Sequence, residues 1–120
     1  MRAGLVVAPG NFDVATHRRE SALVVVPQGE IDLATVDVVR EAVERAIQPG
    51  EDLVLDLRDV GFLDTSGLRY VLELNDRASR DGFDLRLVKG PRPVQRVFEV
   101  SGLEPRLPFV DDPDDSSASD

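Results

Sequence analysis

Cysteine and tryptophan are absent from the 120 residues, and aromatic residues make up only 5% of them. Without cysteine the chain has no disulfides, no thiolate metal sites and no cysteine nucleophile. With so few aromatic side chains, the core has to be built from Val, Leu, Ile and Ala. The sequence also has no apolar run of the roughly 18 residues that a membrane-spanning helix needs, so we expect no membrane span.

Positive charge is scarce as well, because 14 Lys and Arg residues face 23 Asp and Glu residues, for a formal net charge of -9. This balance argues against nucleic acid or an anionic membrane surface as a partner. The only histidine, His17, has no neighbours at metal-ligand spacing, and neither common Gly-rich phosphate loop is present. We therefore predict no metal and no cofactor. The N-terminus is too short and too weakly apolar for a signal peptide, which favours a cytoplasmic protein.

Composition divides the chain into three parts. Residues 1–10 contain Gly and Pro and are predicted to be a flexible lead-in. Residues 11–110 have the composition of one folded domain. Residues 111–120 are rich in Asp and Ser and hold five of the negative charges, so we expect a disordered acidic tail.

Hydrophobic periodicity predicts the element order β-β-α-β-α-β-α, with a last short strand or extended segment at 107–110. Because strands alternate with helices, right-handed βαβ crossovers and some parallel pairing are expected. The predicted fold class is α/β, a small mixed β-sheet of four to five strands packed with about three to four helices around a single core. The predicted strands are 12–17, 22–26, 53–57 and 84–89, a loop covers 58–63, and the helices start near 33, 65 and 93.

The most informative stretch joins the buried strand 53–57 to the helix that follows. Apolar residues recur at helical spacing after residue 67, so this helix begins within residues 64–67. Thr65 and Ser66 therefore stand at a helix N-terminus, where unpaired backbone N–H groups favour a negative oxygen. One alternative is that a hydroxyl serves only as the N-cap, but Asp64 can already cap the helix.

Three further features of this region admit two interpretations each. Gly67 either packs against the sheet or leaves room for a partner to close on the hydroxyls, and we favour the second. Asp32 and Asp64 form either a catalytic carboxylate pair or two helix caps, and capping is the better interpretation. Tyr70 lies opposite the main apolar stripe of its helix. It is either an ordinary semi-exposed residue or, as we prefer, part of a docking surface that continues from Thr65.

Several motifs together resemble the STAS domain, the sulfate-transporter and anti-sigma-factor-antagonist family. The Asp-Thr-Ser-Gly-Leu run at 64–68 carries the resemblance, supported by Gly-Glu-Ile-Asp at 29–32 and Leu-Asp-Leu at 55–57. Residues 94–103, with their Gly-Leu end, resemble the last helix of the family. The likeness runs in register from about residue 12 to residue 110.

The resemblance implies a regulatory binding protein rather than an enzyme. In soluble members, the Ser or Thr directly after the motif Asp is phosphorylated by an anti-sigma factor with a histidine-kinase-like ATP-binding fold. The unphosphorylated antagonist binds that factor and frees a sigma factor. Phosphorylation ends this interaction, and a phosphatase that removes the phosphate restores it. By position the acceptor here is Thr65, with Ser66 as the alternative.

The predicted partner-binding residues join the motif to the helix face that continues from it. They are Asp32, Asp64, Thr65, Ser66, Gly67, Arg69, Tyr70 and Glu73. The alternative function is a stand-alone STAS adaptor, never phosphorylated, within a transport or signalling complex.

Overall fold

The computed structural model describes residues 4–8 and 11–112, with side chains described from residue 11 onwards. Seven strands and three α-helices are found in this part of the chain, together with a 3₁₀ turn at Glu104–Arg106. The strands are β1 (Gly4–Ala8), β2 (Phe12–Arg19), β3 (Ala22–Ile31), β4 (Asp52–Asp56), β5 (Val60–Leu63), β6 (Leu85–Val88) and β7 (Phe109–Val110). The helices are α1 (Val36–Ala46), α2 (Thr65–Asp81) and α3 (Arg92–Val100).

The strands form one mixed sheet in the order β1-β2-β3-β4-β6-β7, with β5 also paired to β3. The pairs β1–β2 and β2–β3 are antiparallel, whereas β3, β4, β6 and β7 run parallel to one another. The long strand β3 serves two parallel partners, because residues 22–25 pair with β4 and residues 29–31 pair with β5. The predicted α/β class is confirmed, although the sheet has more strands than the four to five expected.

All three helices pack on the same face of the sheet. The connections step in one direction from β3 to β4, β6 and β7, and right-handed crossovers in one direction keep their helices on one side. The main core cluster accordingly joins strand residues such as Leu23, Leu55 and Leu87 to the buried apolar residues of every helix. A smaller cluster, which contains only strand residues, lies on the opposite face.

Two strands were missed by the sequence analysis. Gly4–Ala8, within the predicted flexible lead-in, forms β1 and pairs antiparallel with β2. Val60–Leu63, within the predicted loop 58–63, forms β5 and pairs with the end of β3. β1 owes its conformation to pairing with β2 across a short turn, and β5 to pairing with a segment about 30 residues earlier, and local periodicity reports neither.

Some predicted boundaries also change. The structure starts α1 at Val36, with Thr35 at the N-cap position. The prediction that Asp32 is the N-cap residue of this helix is therefore wrong. The segments 22–26 and 29–32 merge into one strand that passes through Pro27. Pro27 lies between the segments paired to β4 and β5, where no parallel register pair is formed. The predicted acidic tail is described only at residues 111–112, and the rest of it lies outside the described residues.

None of the helices in the described part of the chain is long and apolar enough to cross a membrane.

A charged clamp ties the end of α1 to β2. Arg18 donates from Nε to Glu51 Oε2 at 2.6 Å and from its terminal nitrogen to Glu51 Oε1 at 3.0 Å. The same guanidinium donates to the Ala46 carbonyl oxygen, and Glu51 Oε1 accepts from the Gln48 backbone N–H at 3.0 Å. The hydrogen bond from Arg18 is the main reason that the pKa of Glu51 is lowered. One carboxylate therefore fixes both the helix end and the turn that leads into β4.

We expect Glu51→Gln to lower the urea midpoint of unfolding at neutral pH. A carboxyl group whose folded-state pKa is lowered stabilises the fold above its unfolded pKa, and this stabilisation is lost as pH falls through the folded value. The midpoint difference between the wild type and Glu51→Gln should therefore shrink as pH falls below the ordinary glutamate pKa of 4.5.

The matched control is Glu41→Gln, because Glu41 is an exposed carboxylate on α1. Urea titrations of the three proteins at several pH values make the comparison. A deficit for Glu51→Gln that is equally large at neutral and acidic pH would contradict the charged clamp.

Candidate functional site

The predicted site lies where two adjacent parallel strands end. Ile31 and Leu63 are register partners at the ends of β3 and β5, and each is followed directly by an aspartate of the motif set. The Asp64 backbone N–H donates to the Ile31 carbonyl oxygen at 3.1 Å. The loops that carry Asp32 and Asp64 therefore lie side by side.

Asp64 caps α2, as predicted. Its Oδ1 accepts from the backbone N–H of Ser66 at 2.8 Å and from that of Gly67 at 3.3 Å. The helix begins at Thr65, whose side chain is exposed, while Ser66 is half-buried. Neither hydroxyl makes a hydrogen bond or another polar contact to a described residue. Because the Asp64 carboxylate already accepts from these backbone N–H groups at the start of α2, the two hydroxyls have no capping role.

Asp32 organises the turn that precedes α1. Its Oδ1 accepts from the backbone N–H groups of Ala34 at 2.9 Å and Thr35 at 3.1 Å. The Thr35 hydroxyl donates to the Glu30 carbonyl oxygen at 2.6 Å and so closes the turn. Both motif carboxylates thus accept from backbone N–H groups, Asp64 as the cap of α2 and Asp32 within the turn before α1. The described residues contain no group of His, Cys, Asp and Glu side chains that could hold a metal ion.

Two apolar side chains near the motif aspartates in the chain are exposed. Leu33, at the tip of the Asp32 turn, is 79% exposed, and Phe62 in β5 is 48% exposed. Together with Thr65 and Arg69 they form what we call the Thr65 surface. The sequence analysis missed Leu33 because the apolar spacing assigned it to the buried face of α1. It missed Phe62 because residues 58–63 were predicted to form a loop, whereas Phe62 lies in β5.

Gly67 has a packing role, so the interpretation favoured from the sequence is wrong. The residue is buried, and a Cβ built on it would lie 2.7 Å from Leu63 Cγ and 2.9 Å from Ile31 Cγ2. The missing side chain lets the first turn of α2 lie directly on the ends of β3 and β5. Gly67 consequently gives a partner no access from outside, but it holds the hydroxyl-bearing turn in place.

Tyr70 is only 4% exposed, so its predicted place on a docking surface is wrong. The buried residues of α2 are Gly67, Tyr70, Val71, Leu74 and Ala78. The buried surface of α2 is wide because the helix packs against both the sheet and α1. Residues outside its main apolar face are therefore covered as well. The Arg40 guanidinium covers the tyrosine ring, 4.8 Å from its centroid. Burial, followed by the charge of Glu44, raises the pKa of Tyr70.

Arg69 and Glu73 are exposed on α2, as predicted, but their surroundings differ. Arg69 lies one helical turn after Thr65, on the same face. Glu73 is engaged in an ion pair with Arg40, which makes it part of the α1–α2 contact. The structure therefore brings five of the predicted residues together at one end of the sheet, places Glu73 at their margin and buries two. The five are Asp32, Asp64, Thr65, Ser66 and Arg69.

Comparison with known proteins agrees with this geometry. The STAS domain family matches residues 13–116. The anti-sigma F factor antagonist of Paenibacillus polymyxa is 31% identical over 103 residues, which are 84% of this chain and 88% of that protein. The anti-sigma-B factor antagonist of Bacillus subtilis is 29% identical over 94 residues, which are 78% of this chain and 86% of that protein.

Two solved structures show the same fold. An anti-sigma factor antagonist from Mycobacterium paratuberculosis has a TM-score of 0.81 and 23% identity, over 96% of this chain and 100% of that one. The anti-sigma factor antagonist SpoIIAA in its unphosphorylated form has a TM-score of 0.65 and 24% identity, over 82% of this chain and 87% of that one. At these identities the likeness concerns the fold alone.

We expect Gly67→Ala to destabilise the protein by about 1–2 kcal/mol, because overpacking costs roughly 1–3 kcal/mol and the better helix propensity of Ala returns up to about 1 kcal/mol. The matched control is Gly61→Ala, since a Cβ at Gly61 would meet no atom within 4 Å. Urea unfolding of both variants measures the difference. Equal stability of the two variants would show that the close contact with Leu63 and Ile31 does not constrain α2.

Proposed function

Because this chain belongs to the STAS domain family, we propose that it acts as an anti-sigma factor antagonist, a cytoplasmic binding protein with no catalytic activity of its own. In this role it binds an anti-sigma factor and thereby frees a sigma factor. The names of the relatives support the proposal. The structural observation that carries it is the exposed, uncommitted hydroxyl of Thr65 on a surface with exposed apolar side chains.

The proposed switch is phosphorylation of Thr65, with Ser66 as the alternative acceptor. A kinase has to bring the hydroxyl oxygen in line with a γ-phosphoryl group, which requires access from solvent. Thr65 is exposed whereas Ser66 is half-buried, so the geometry favours Thr65. The proposed kinase is the anti-sigma factor itself, with a histidine-kinase-like ATP-binding fold, and a separate phosphatase reverses the reaction.

A phosphate on Thr65 would change the charge of the Thr65 surface without requiring a change of fold. It adds a charge of about -1.5 to -2 at neutral pH. Asp64 already occupies the backbone N–H groups of Ser66 and Gly67, so the phosphate gains little from the helix end. Instead it stands beside the carboxylate of Asp64 and one turn before Arg69, whose positive charge it would draw towards itself.

The loss of binding that such a switch needs is modest. Each loss of about 1.4 kcal/mol in binding free energy lowers affinity tenfold. The phosphate would repel an acidic group of the partner and would draw Arg69 away from the interface. Together these two effects would supply a loss of binding free energy of this size. The unphosphorylated surface would bind mainly through Leu33 and Phe62, because buried apolar anchors at the centre of an interface carry most of its energy.

We predict that incubation with ATP and an ATP-binding anti-sigma factor from the same genome adds one phosphate to the wild type, located on Thr65. Thr65→Ala should remain unmodified and still bind the anti-sigma factor, and Ser66→Ala should be modified like the wild type. Intact-mass measurement followed by fragment mapping distinguishes these outcomes.

Thr65→Asp should weaken binding at least about tenfold while the urea midpoint stays near that of the wild type. A complex that forms normally and is never phosphorylated would favour the adaptor alternative. Modification of Ser66 alone would keep the switch but move the acceptor by one residue.

We further predict that Phe62→Ala lowers affinity for the anti-sigma factor about tenfold or more, because burying a Phe or Leu side chain contributes roughly 1.5–3 kcal/mol. Leu33→Ala should have a similar effect. Isothermal titration of the unphosphorylated proteins measures both losses.

The control is Val100→Ala, which truncates an apolar side chain that is 75% exposed at the far end of α3. Its affinity should equal that of the wild type. If Phe62→Ala and Leu33→Ala also bind like the wild type, the Thr65 surface is not the interface.

A further inference from the structure

The sheet ends in two edge strands of different character. Its strand order runs from β1 to β7, so among the residues that the structure describes neither strand has a strand neighbour on its outer side. Alternate residues of an edge strand direct their backbone N–H and C=O groups away from the sheet. Such a row of groups pairs readily with another strand unless the sequence or the fold prevents it.

The β7 edge is protected against such pairing. The strand is only two residues long, Phe109–Val110. Pro108 directly precedes it, and the exposed Asp111 and Asp112 follow it. Short edge strands, proline and charged residues are the devices by which proteins prevent pairing at an edge. The β7 edge therefore offers little to another strand.

The β1 edge has none of these devices. Its five residues, Gly4–Ala8, include no proline and no charged residue, and the Leu-Val-Val at its centre has high β propensity. The register with β2 runs one to one along the strand, so no bulge turns β1 away. α1 contacts β1, but it also packs on β2 and β3, which places it over the face of the sheet rather than beside the edge. Within residues 4–8 and 11–112, the outer edge of β1 is therefore open to another strand.

A second copy of this chain is the occupant that fits the β1 edge. β1 pairs antiparallel with β2, so an antiparallel strand on its other side continues the same half of the sheet. Two β1 strands related by a two-fold axis run antiparallel by symmetry. They are self-complementary, because the outward N–H groups of each copy meet the outward C=O groups of the other.

Charge repulsion does not oppose this contact, although the chain carries a net charge of -9. β1 is uncharged, and the one charged residue of β2 in register with it is Asp13, opposite Val7. In the paired sheet two β1 strands separate the β2 strands of the two copies, so their Asp13 residues are at least three strand spacings, about 14 Å, apart. This distance exceeds the Debye length of about 8 Å at physiological ionic strength.

We propose that the chain forms a two-fold symmetric dimer through β1, in which the outer edge of this strand pairs antiparallel with that of a second copy around Val6, its middle residue. The sheet of one copy then continues into the sheet of the other. The Thr65 surface lies at the ends of β3 and β5, which β2 separates from β1, so each copy keeps its own Thr65 surface free. The proposal goes beyond the proposed function, because it needs neither an anti-sigma factor nor phosphorylation.

Val7→Lys tests the pairing between copies while favouring β1 within one copy. A lysine on an edge strand opposes pairing with another strand, whereas the introduced ammonium group stands opposite Asp13 of the same copy, which is a favourable cross-strand pair. In sedimentation equilibrium of the full chain, the mass of the wild type should rise with concentration towards twice 13.2 kDa, and that of Val7→Lys should stay at 13.2 kDa. The matched control, Ser79→Lys, makes the same change of charge at an exposed position of α2 and should dimerise like the wild type.

The absence of cysteine permits a second test, which does not depend on the stability of a charged variant. With pairing around Val6, the cysteines of two Val6→Cys copies lie opposite each other, within the Cα separation of about 4.4–6.8 Å that a disulfide requires. Mild oxidation should therefore convert this variant to a covalent dimer. Ala8→Cys is the control, because in this register its two cysteines are about 14 Å apart and should not form a disulfide.

Three results would overturn the proposal. The first is a wild type that keeps the mass of one chain at every concentration, together with a Val6→Cys variant that does not cross-link. The second is dimerisation of Val7→Lys equal to that of the wild type, which would place the interface elsewhere on the surface. The third is cross-linking of Ala8→Cys as readily as Val6→Cys, which would exclude two-fold pairing around Val6.

Discussion

One hydrogen bond, from the Asp64 backbone N–H to the Ile31 carbonyl oxygen, fixes the place where the two loops of the site meet. It continues the parallel pairing of β5 with β3 by one residue beyond the strand ends. The first turn of α2 can follow so closely only because Gly67 has no side chain between Leu63 and Ile31. The position of Thr65 therefore depends on backbone pairing and on one close packing contact, rather than on any interaction of its own side chain.

This arrangement separates the residues that build the site from those that are available to a partner. The carboxylates of Asp32 and Asp64 satisfy backbone N–H groups at the ends of two loops, where unpaired donors would otherwise be costly. Leu33 and Thr65 lie beside these two anchors and remain exposed. A substitution at an exposed residue thus tests binding, whereas a substitution at either aspartate tests binding and local structure together.

The sequence predicted the parts of this structure that are encoded locally. The start of α2 and its cap at Asp64 follow from apolar spacing and from the chemistry of one residue. The strands β1 and β5 could not be found in this way, because each is four or five residues long and is defined by pairing with another strand rather than by its own pattern. Tyr70 was placed outside for a related reason. Periodicity identifies one buried face of a helix, and α2 is also covered by α1 through the Arg40–Glu73 pair.

By the same reasoning, the proposed phosphorylation of Thr65 would act on binding rather than on the fold. An exposed side chain with no intramolecular partner contributes little to stability, so its modification leaves the folded state nearly unchanged. The surrounding surface contains few charges that could compensate, because Asp64 faces the backbone and Arg69 is the cation one turn away. A new negative charge is then felt mainly by whatever approaches from outside. A residue at a buried or capping position could not serve as such a switch, because modifying it would also unfold the loop that presents it.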